Sequence, residues 1–351
     1  MSEYKKVNVT ELKPGMRIAQ NVENKYGAIL ISPGMVLQEG IIAKLQKLGI
    51  RKVSIFAESE SEIDDVFLEV PRKYQENVLR MKGIFYSLNK GRQLEYEEIK
   101  QIVDDLFWIE VDQELLSILT QMRDVEKYTY IHSVNVGMLS IIFGRWIKMP
   151  EKNLKLLAYA GFLHDVGKSR IPAEILRKKG SLTEEEFEIM KKHSVYGYDI
   201  VRDCVFVTNK LARAVLFHHE RKDGSGYPLG IKGDKIPFMA RVLAIVDTFD
   251  AMTSDRVYKR HQPPFDVLKM LKQETLHTLD ISLVKSFIKN ISHYYLGEKV
   301  ILNNGQKGEI VFINPDYPTE PIVKVEEEFV DLSKNKLNIR EFVTIPRLVE
   351  R

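Results

Sequence analysis

From about Val70 to Ile291 apolar residues recur at spacings of three and four, the mark of helices that each bury one face. A chain with so long a helical stretch is committed to a mainly α fold whose core is built from helix faces. The spacing predicts helices over Tyr74–Leu88, Tyr96–Phe107, Gln113–Arg123, Tyr130–Ile147 and Glu151–Val166. Further along it predicts Thr183–Arg202, Leu211–Phe217, Met239–Met252, Phe265–Gln273 and Ser282–Ile291. Thr183, with Glu186 three residues on, is a capping-box signature for one of these starts.

The flanks read differently. Residues 1–60 form a small α/β unit with turns at Pro14-Gly15 and Pro33-Gly34. Short strands are expected at Arg17–Val22, Ala28–Ser32 and Lys52–Phe56, and a helix at Gln38–Leu48 ended by Gly49. The acidic stretch Glu58–Asp65 is a solvated connector, and residues 61–110 are read as a helical linker. After Tyr294 apolar positions alternate around an Asn-Asn-Gly turn, which predicts a small antiparallel β-tail, with a partial barrel as one form of it. The expected division is therefore 1–60, 61–110, a helical 111–293, and a β-rich 294–351 that is open to use as a dimer surface, a lid or a cap.

Composition narrows the function classes. The 351 residues carry a formal net charge of +3, which argues against a polybasic partner surface for duplex DNA or membranes, though a small phosphate ligand needs only a few cations. Cys204 is the single cysteine, so no intrachain disulfide and no cysteine-based zinc knuckle can form. The N-terminal segment lacks a signal-peptide core, and no apolar run reaches the ~20 residues that span a bilayer. A cytoplasmic protein without membrane insertion is expected.

Chemistry concentrates in the middle third. Of eight histidines, His132, His164, His193, His218 and His219 stand in or at the ends of apolar helices, with Asp165 beside His164 and the acids Asp247 and Asp250 downstream. Burying the Asp165 carboxylate among Phe162, Leu163 and Val166 is costly unless it is paired or bound to a metal. Taken singly, the plainer reading of a structural residue wins for His132 and His193. The doublets His164-Asp165 and His218-His219 are harder to bury without use, and the set suits two five- or six-coordinate ions. Spacing alone leaves a metal site and coincidence evenly matched. Lys168, four residues past His164, supplies a cation suited to a phosphate.

The segment HHERKDGSGYPLGIKGDKIPFMARVLAIVDTFDAMTSDRVYK from His218, the HDVGK motif of His164–Lys168, YTYIHSVNV around His132 and HSVYGYDIV from His193 together closely resemble the HD-GYP phosphodiesterases. The resemblance covers roughly residues 125–290. It implies an HD-type helical bundle and the metal ligands His132, His164, Asp165, His193, His218, His219 and Asp247, with Asp165 bridging two ions. It further implies iron or manganese as the metal. Three-metal members carry a glutamate four residues before the first histidine, where this chain has Tyr128, so two metals are expected; Glu126 would compensate only if the helix began differently.

The implied substrate is cyclic di-GMP, opened to linear pGpG and with further cleavage to GMP as an extension, through attack by a hydroxide shared between two metals. Asp165 and Lys168 carry the catalytic roles. Lys168, Tyr227 of Gly226-Tyr227-Pro228, Asp250, Arg256 and Lys259 are the expected substrate-side residues. Tyr227 offers a face for a guanine, against the plainer alternative that it packs the loop down. Asp250 either orients a ligand histidine or holds the attacking water. Arg221 and Asp223 are expected to stabilise the loop. A homodimer is the one protein partnership considered. The rival readings are a receptor that binds without cleaving, an HD hydrolase acting on another nucleotide, and a helical scaffold with incidental histidines.

Overall fold

The computed structural model describes residues 4–12, 16, 18–20, 22–23, 29–31, 37, 42, 45–46, 50–56, 72–109, 119, 128–178, 180–204, 207–253, 263–274, 278–334 and 337–342, with backbone alone at 4–5, 23, 29–31, 56, 128, 274 and 341. The chain divides into two compact units, Met1–Glu69 and Val70–Arg351.

In the first unit β1 (Tyr4–Asn8) pairs antiparallel with β4 (Lys52–Phe56), and β2 (Val22–Glu23) with β3 (Ile29–Ile31). Ile18, Val22, Leu37, Ile42, Leu45, Val53 and Ile55 build its core. The expected strands at 28–32 and 52–56 are present as β3 and β4; of the one expected at Arg17–Val22, Val22 alone among the described residues is in a strand and Ile18 forms an isolated bridge to Ile55. Strand β1 was not expected: Val7 is its one aliphatic residue, too little for an alternating pattern. Most of the expected helix at Gln38–Leu48 lies outside the described residues; positions 42, 45 and 46 are helical.

The second unit is mainly helical. Its helices are α1 (Arg72–Asn89), α2 (Tyr96–Phe107), α3 (Tyr128–Trp146), α4 (Glu151–Leu163), the single turn α5 (Ala173–Leu176), α6 (Glu184–Lys191), α7 (His193–Arg202), α8 (Asn209–Phe217), α9 (Phe238–Thr253), α10 (Pro264–Glu274) and α11 (Ile281–Ser292). Their starts follow local chemistry. Thr183 and Glu186 form the expected reciprocal capping box, Thr208 accepts from the Leu211 N–H, and Asp280 accepts from the N–H groups of Ser282 and Leu283. The predicted Gln113–Arg123 helix lies outside the described residues except for Leu119, which is helical and buried.

Phe143 of α3, Phe249 of α9 and Phe287 of α11 meet in the core, with the Phe287 ring centroid 5.1 Å from that of Phe143 and 5.2 Å from that of Phe249. The helices α1 and α2, read from sequence as linker, lie within this unit. Tyr74 and Asn89 of α1 hydrogen-bond Asn135 of α3 and the Ser169 carbonyl, at 2.6 and 3.1 Å. Residues 299–342 form a five-stranded antiparallel sheet in the order β8 (Glu328–Asp331), β7 (Ile322–Val325), β6 (Lys307–Phe312), β5 (Lys299–Leu302), β9 (Ile339–Phe342). Among the described residues it is an open sheet with β8 and β9 at its edges, not a barrel. No described helix is long and apolar enough to cross a membrane.

Two departures from the predicted helices shape the buried histidine cluster. The 151–166 helix stops at Leu163 and the chain turns into a 3-10 segment over Val166–Arg170, with Asp165 at φ −102°, ψ 4°. The 183–202 helix is broken after Lys191, so that α7 begins on His193. Both breaks meet at Gly167, where a Cβ would lie 1.9 Å from the His193 carbonyl oxygen; only glycine lets the two backbones approach so closely.

Candidate metal centre

Four elements deliver imidazoles to one buried place. His132 comes from α3, His164 from the end of α4, His193 from the start of α7, and His218-His219 from the end of α8. The helix α9 adds Asp247 and Asp250, and the 3-10 turn adds Asp165. The donor atoms fall into two groups, Asp165 with His193, His218 and His219, and His132 with His164 and Asp247, each within reach of a single cation.

Backbone carbonyls fix the orientation of three rings. His164 Nδ1 donates to Gly161 O at 2.8 Å, His193 Nδ1 to Met190 O at 2.8 Å, and His218 Nδ1 to Val215 O at 2.6 Å. A carbonyl can only accept, so each proton sits on Nδ1 and each Nε2 presents a lone pair to the centre. The i−3 contact repeats at all three: the preceding turn supplies the carbonyl that aims the histidine.

The fourth ring is held by a carboxylate. His132 Nδ1 lies 2.7 Å from Asp250 Oδ2, and His132 Nε2 lies 3.1 Å from Asp247 Oδ1 and 3.2 Å from His164 Nε2. Burial opposes charge on His132, but the hydrogen bonds it donates to Asp247 and Asp250, and their negative charge, outweigh it and raise its pKa to about 9. On its neighbours burial prevails. It lowers His193 to about 4, and it lowers His218, with His164 and His193 close by, to about 3.

The residues present fit a metal. His193 Nε2 and His218 Nε2 face each other at 3.4 Å, both neutral and both without a proton on that nitrogen. Asp165 Oδ1 is buried without a hydrogen-bond donor and lies 3.4 Å from His193 Nε2. Lone pairs crowded together in a dry place ask for a cation. Asp165 Oδ2 points the other way, 3.4 Å from His164 Nε2 and 3.6 Å from His132 Nε2, so its two oxygens address the two donor groups. Burial raises the Asp165 carboxyl, but Lys168 and the histidines more than offset this and hold it well below the usual range.

Exposure marks the open side of the cluster. The side chains of His132, His164, Asp165 and His193 are 1–2% exposed, whereas those of His219 and Lys168 are each 19% exposed. The Gly226-Tyr227-Pro228 loop closes over that side. The Tyr227 ring lies 4.7 Å from the His219 ring at an interplanar angle of 32°, and edge-on to His193 at 6.1 Å. At Gly226 a Cβ would sit 2.4 Å from the His219 carbonyl, so the loop presses on the backbone of the doublet. Asp223 accepts from Ser225, and Arg221 donates to the carbonyls of His218 and Glu220, as a loop-stabilising pair would.

Sequence reasoning missed residues that act through others. Glu220 is 2% exposed and accepts from the Leu229 N–H at 2.7 Å and the Ile231 N–H at 3.1 Å, anchoring the chain that leaves the Gly-Tyr-Pro loop. Its signal was an acid directly after two histidines. Asn135 donates to Asp250 Oδ1 at 2.9 Å and Tyr74 donates to Asn135 at 2.6 Å, contacts between distant stretches of chain that no local pattern announces. Arg256 and Lys259, expected on the substrate side, lie outside the described residues, as does Glu126.

The chain is similar to known proteins. The family model described as "HD domain" matches residues 89–283. A cyclic di-GMP phosphodiesterase of Pseudomonas aeruginosa is 32% identical over 245 residues, 69% of this chain and 59% of that protein. A cyclic di-GMP phosphodiesterase of Thermotoga maritima is 38% identical over 190 residues, 53% of this chain and 51% of its own length. A 3'3'-cGAMP-specific phosphodiesterase 1 of Vibrio cholerae is 32% identical over 197 residues, 52% of this chain and 43% of that protein. The chain thus spans little more than half of the first two relatives. In fold it is similar to an HDG"Y"P protein of Bdellovibrio bacteriovorus, with a TM-score of 0.53 and 17% identity over 81% of this chain and 98% of that one.

Proposed function

The chain belongs to the HD-domain family, as an HD-GYP member, and from that premise we propose that it hydrolyses a phosphodiester bond of a cyclic dinucleotide at a two-metal centre. Cyclic di-GMP is the proposed substrate, in keeping with the names of the Pseudomonas and Thermotoga relatives. The observation that carries the reading is the pair of donor groups joined by Asp165, whose two oxygens address one group each.

The proposed ligands are His132, His164 and Asp247 for one ion, His193, His218 and His219 for the other, and Asp165 for both. Iron or manganese suits such mixed imidazole and carboxylate donors. When bound, the ions supply an ionised water at neutral pH and neutralise phosphate charge. The protein's own groups do the rest. Asp250 holds Nδ1 of His132, and backbone carbonyls hold Nδ1 of His164, His193 and His218, which aims each Nε2 at the centre; His132 would give up its second proton to an incoming ion. Lys168, on the exposed side and 2.5 Å from Asp165 Oδ2, is placed to offer its remaining N–H groups to a phosphate oxygen. Tyr227 covers His219 and keeps bulk water off that flank. Water adds to phosphorus and the bond to the 3′ oxygen breaks, which yields a linear dinucleotide ending in a phosphomonoester.

A second reading has a specific observation behind it: the Vibrio cholerae relative is named for 3'3'-cGAMP, which differs from cyclic di-GMP in one base. Incubating manganese- or iron-loaded protein with each dinucleotide and resolving the products by chromatography separates the readings. Linear product from cyclic di-GMP supports the first, product from 3'3'-cGAMP alone supports the second, and no product from either overturns both.

A further inference from the structure

The hydrogen bonds behind His132 run farther than the family's matched region. Asp250 holds His132 Nδ1 with Oδ2 and receives Asn135 Nδ2 on Oδ1, so both of its oxygens are engaged and the carboxylate cannot turn. Asn135 Nδ2 donates also to the Leu119 carbonyl at 2.9 Å. A carbonyl and a carboxylate only accept, so the amide nitrogen must face them and Asn135 Oδ1 must face the other way. There it meets the Tyr74 hydroxyl at 2.6 Å, fully buried in the first turn of α1 and outside residues 89–283.

We infer that Tyr74 is a positioning residue for the metal centre, acting through Asn135 and Asp250 on His132. The hydroxyl gives Asn135 Oδ1 its donor. Without it that oxygen is stranded in a dry site, and the alternative amide orientation sets an oxygen against two acceptors. Either outcome loosens Asp250 and with it the His132 ring, whose Nε2 stands among the His132, His164 and Asp247 donors. The second donor group takes its orientation from Met190 O and Val215 O, which this route does not touch. The effect should therefore fall on one metal and spare the other.

The inference rests on the two-metal reading of the site. Its test is titration of metal-free, full-length protein with Mn(II), following free Mn(II) by electron paramagnetic resonance. Wild type should bind two ions. Tyr74→Phe should weaken one of them about tenfold, at the low end of what outer partners of metal ligands cost, and leave the other unchanged. Tyr295→Phe, which removes another buried hydroxyl, should alter neither. Asn135→Asp keeps the side-chain volume and an acceptor for Tyr74, but sets an oxygen against Asp250 and Leu119 O. It should weaken the same ion at least as much, and it serves if Tyr74→Phe does not fold. Two affinities equal to wild type in the tyrosine variant, or both lowered alike, would overturn the positioning role while leaving the metal centre standing. A wild-type protein that takes up no Mn(II) overturns the metal centre, and the inference with it.

Discussion

Lys168 Nζ lies 2.5 Å from Asp165 Oδ2, three residues away on a 3-10 turn, with the lysine on the open side and the carboxylate buried. Three residues apart, the two side chains are neighbours on a helical turn, and the 3-10 segment that follows α4 keeps them so. Lys168→Met should therefore lower turnover of the cyclic dinucleotide by roughly 10²-fold, the usual effect of losing one donor to transition-state charge. Metal content and melting temperature should stay close to wild type. Unchanged turnover with intact metal would make Lys168 a structural partner of Asp165 and nothing more.

Asp165→Asn separates metal binding from folding. The variant keeps the shape but removes a buried charge whose Oδ1 has no hydrogen-bond donor. Metal-free variant should be less stable than metal-free wild type, because Lys168 and the neighbouring histidines favour the ionised carboxylate and an amide cannot replace it in that ion pair. Added metal should raise the melting temperature of wild type and not of the variant. Thermal melts with and without Mn(II) check this. A variant that still gains stability from the metal would remove Asp165 from the ligand set.

Gly167→Ala should strike fold and site together. Its Cβ would lie 1.9 Å from the His193 carbonyl oxygen, and backbone cannot move aside as a side chain can. A loss of about 1–3 kcal/mol is expected from denaturant unfolding, as for other overpacked positions. The strain should also shift the start of α7 and reduce metal uptake. An alanine variant with unchanged stability would contradict the close approach.

Legibility in the sequence depends on which interactions are local. The doublets His164-Asp165 and His218-His219 stood out because ionisable residues in apolar helices are costly, and the Thr183–Glu186 capping box is contained in four residues. The breaks at Leu163 and after Lys191 were not readable. Apolar periodicity runs through both, and the close approach at which they meet, Gly167 against His193, joins separate stretches of chain. Asn135 and Tyr74 escaped for the same reason: their partners lie on other elements. For Tyr227 the structure adds a ring contact with His219 that no sequence pattern contains.

Asp280 offers a pH signature away from the metal centre. It caps α11 through the Ser282 and Leu283 N–H groups and accepts from Arg241 at 2.7 Å. Burial raises its pKa, but hydrogen bonds from Ser282, Leu283 and Arg241, with Lys222 nearby, lower it overall. A carboxyl depressed on folding stabilises the fold above its unfolded pKa, and that contribution is lost as pH falls through the folded value. Asp280→Ala should cost about 1 kcal/mol at pH 7, typical of a lost N-cap. The difference from wild type should shrink once pH drops below the ordinary aspartate range. Urea unfolding of both proteins across pH measures it; a gap that widens in acid would reverse the assigned sign.

The most direct test is a crystal structure of manganese-loaded protein with an anomalous difference map. Two peaks are expected, one against His132, His164 and Asp247 and the other against His193, His218 and His219, with one Asp165 oxygen on each. A single peak, peaks elsewhere, or none in crystals grown with saturating manganese would contradict the two-ion centre on which the proposed hydrolysis rests.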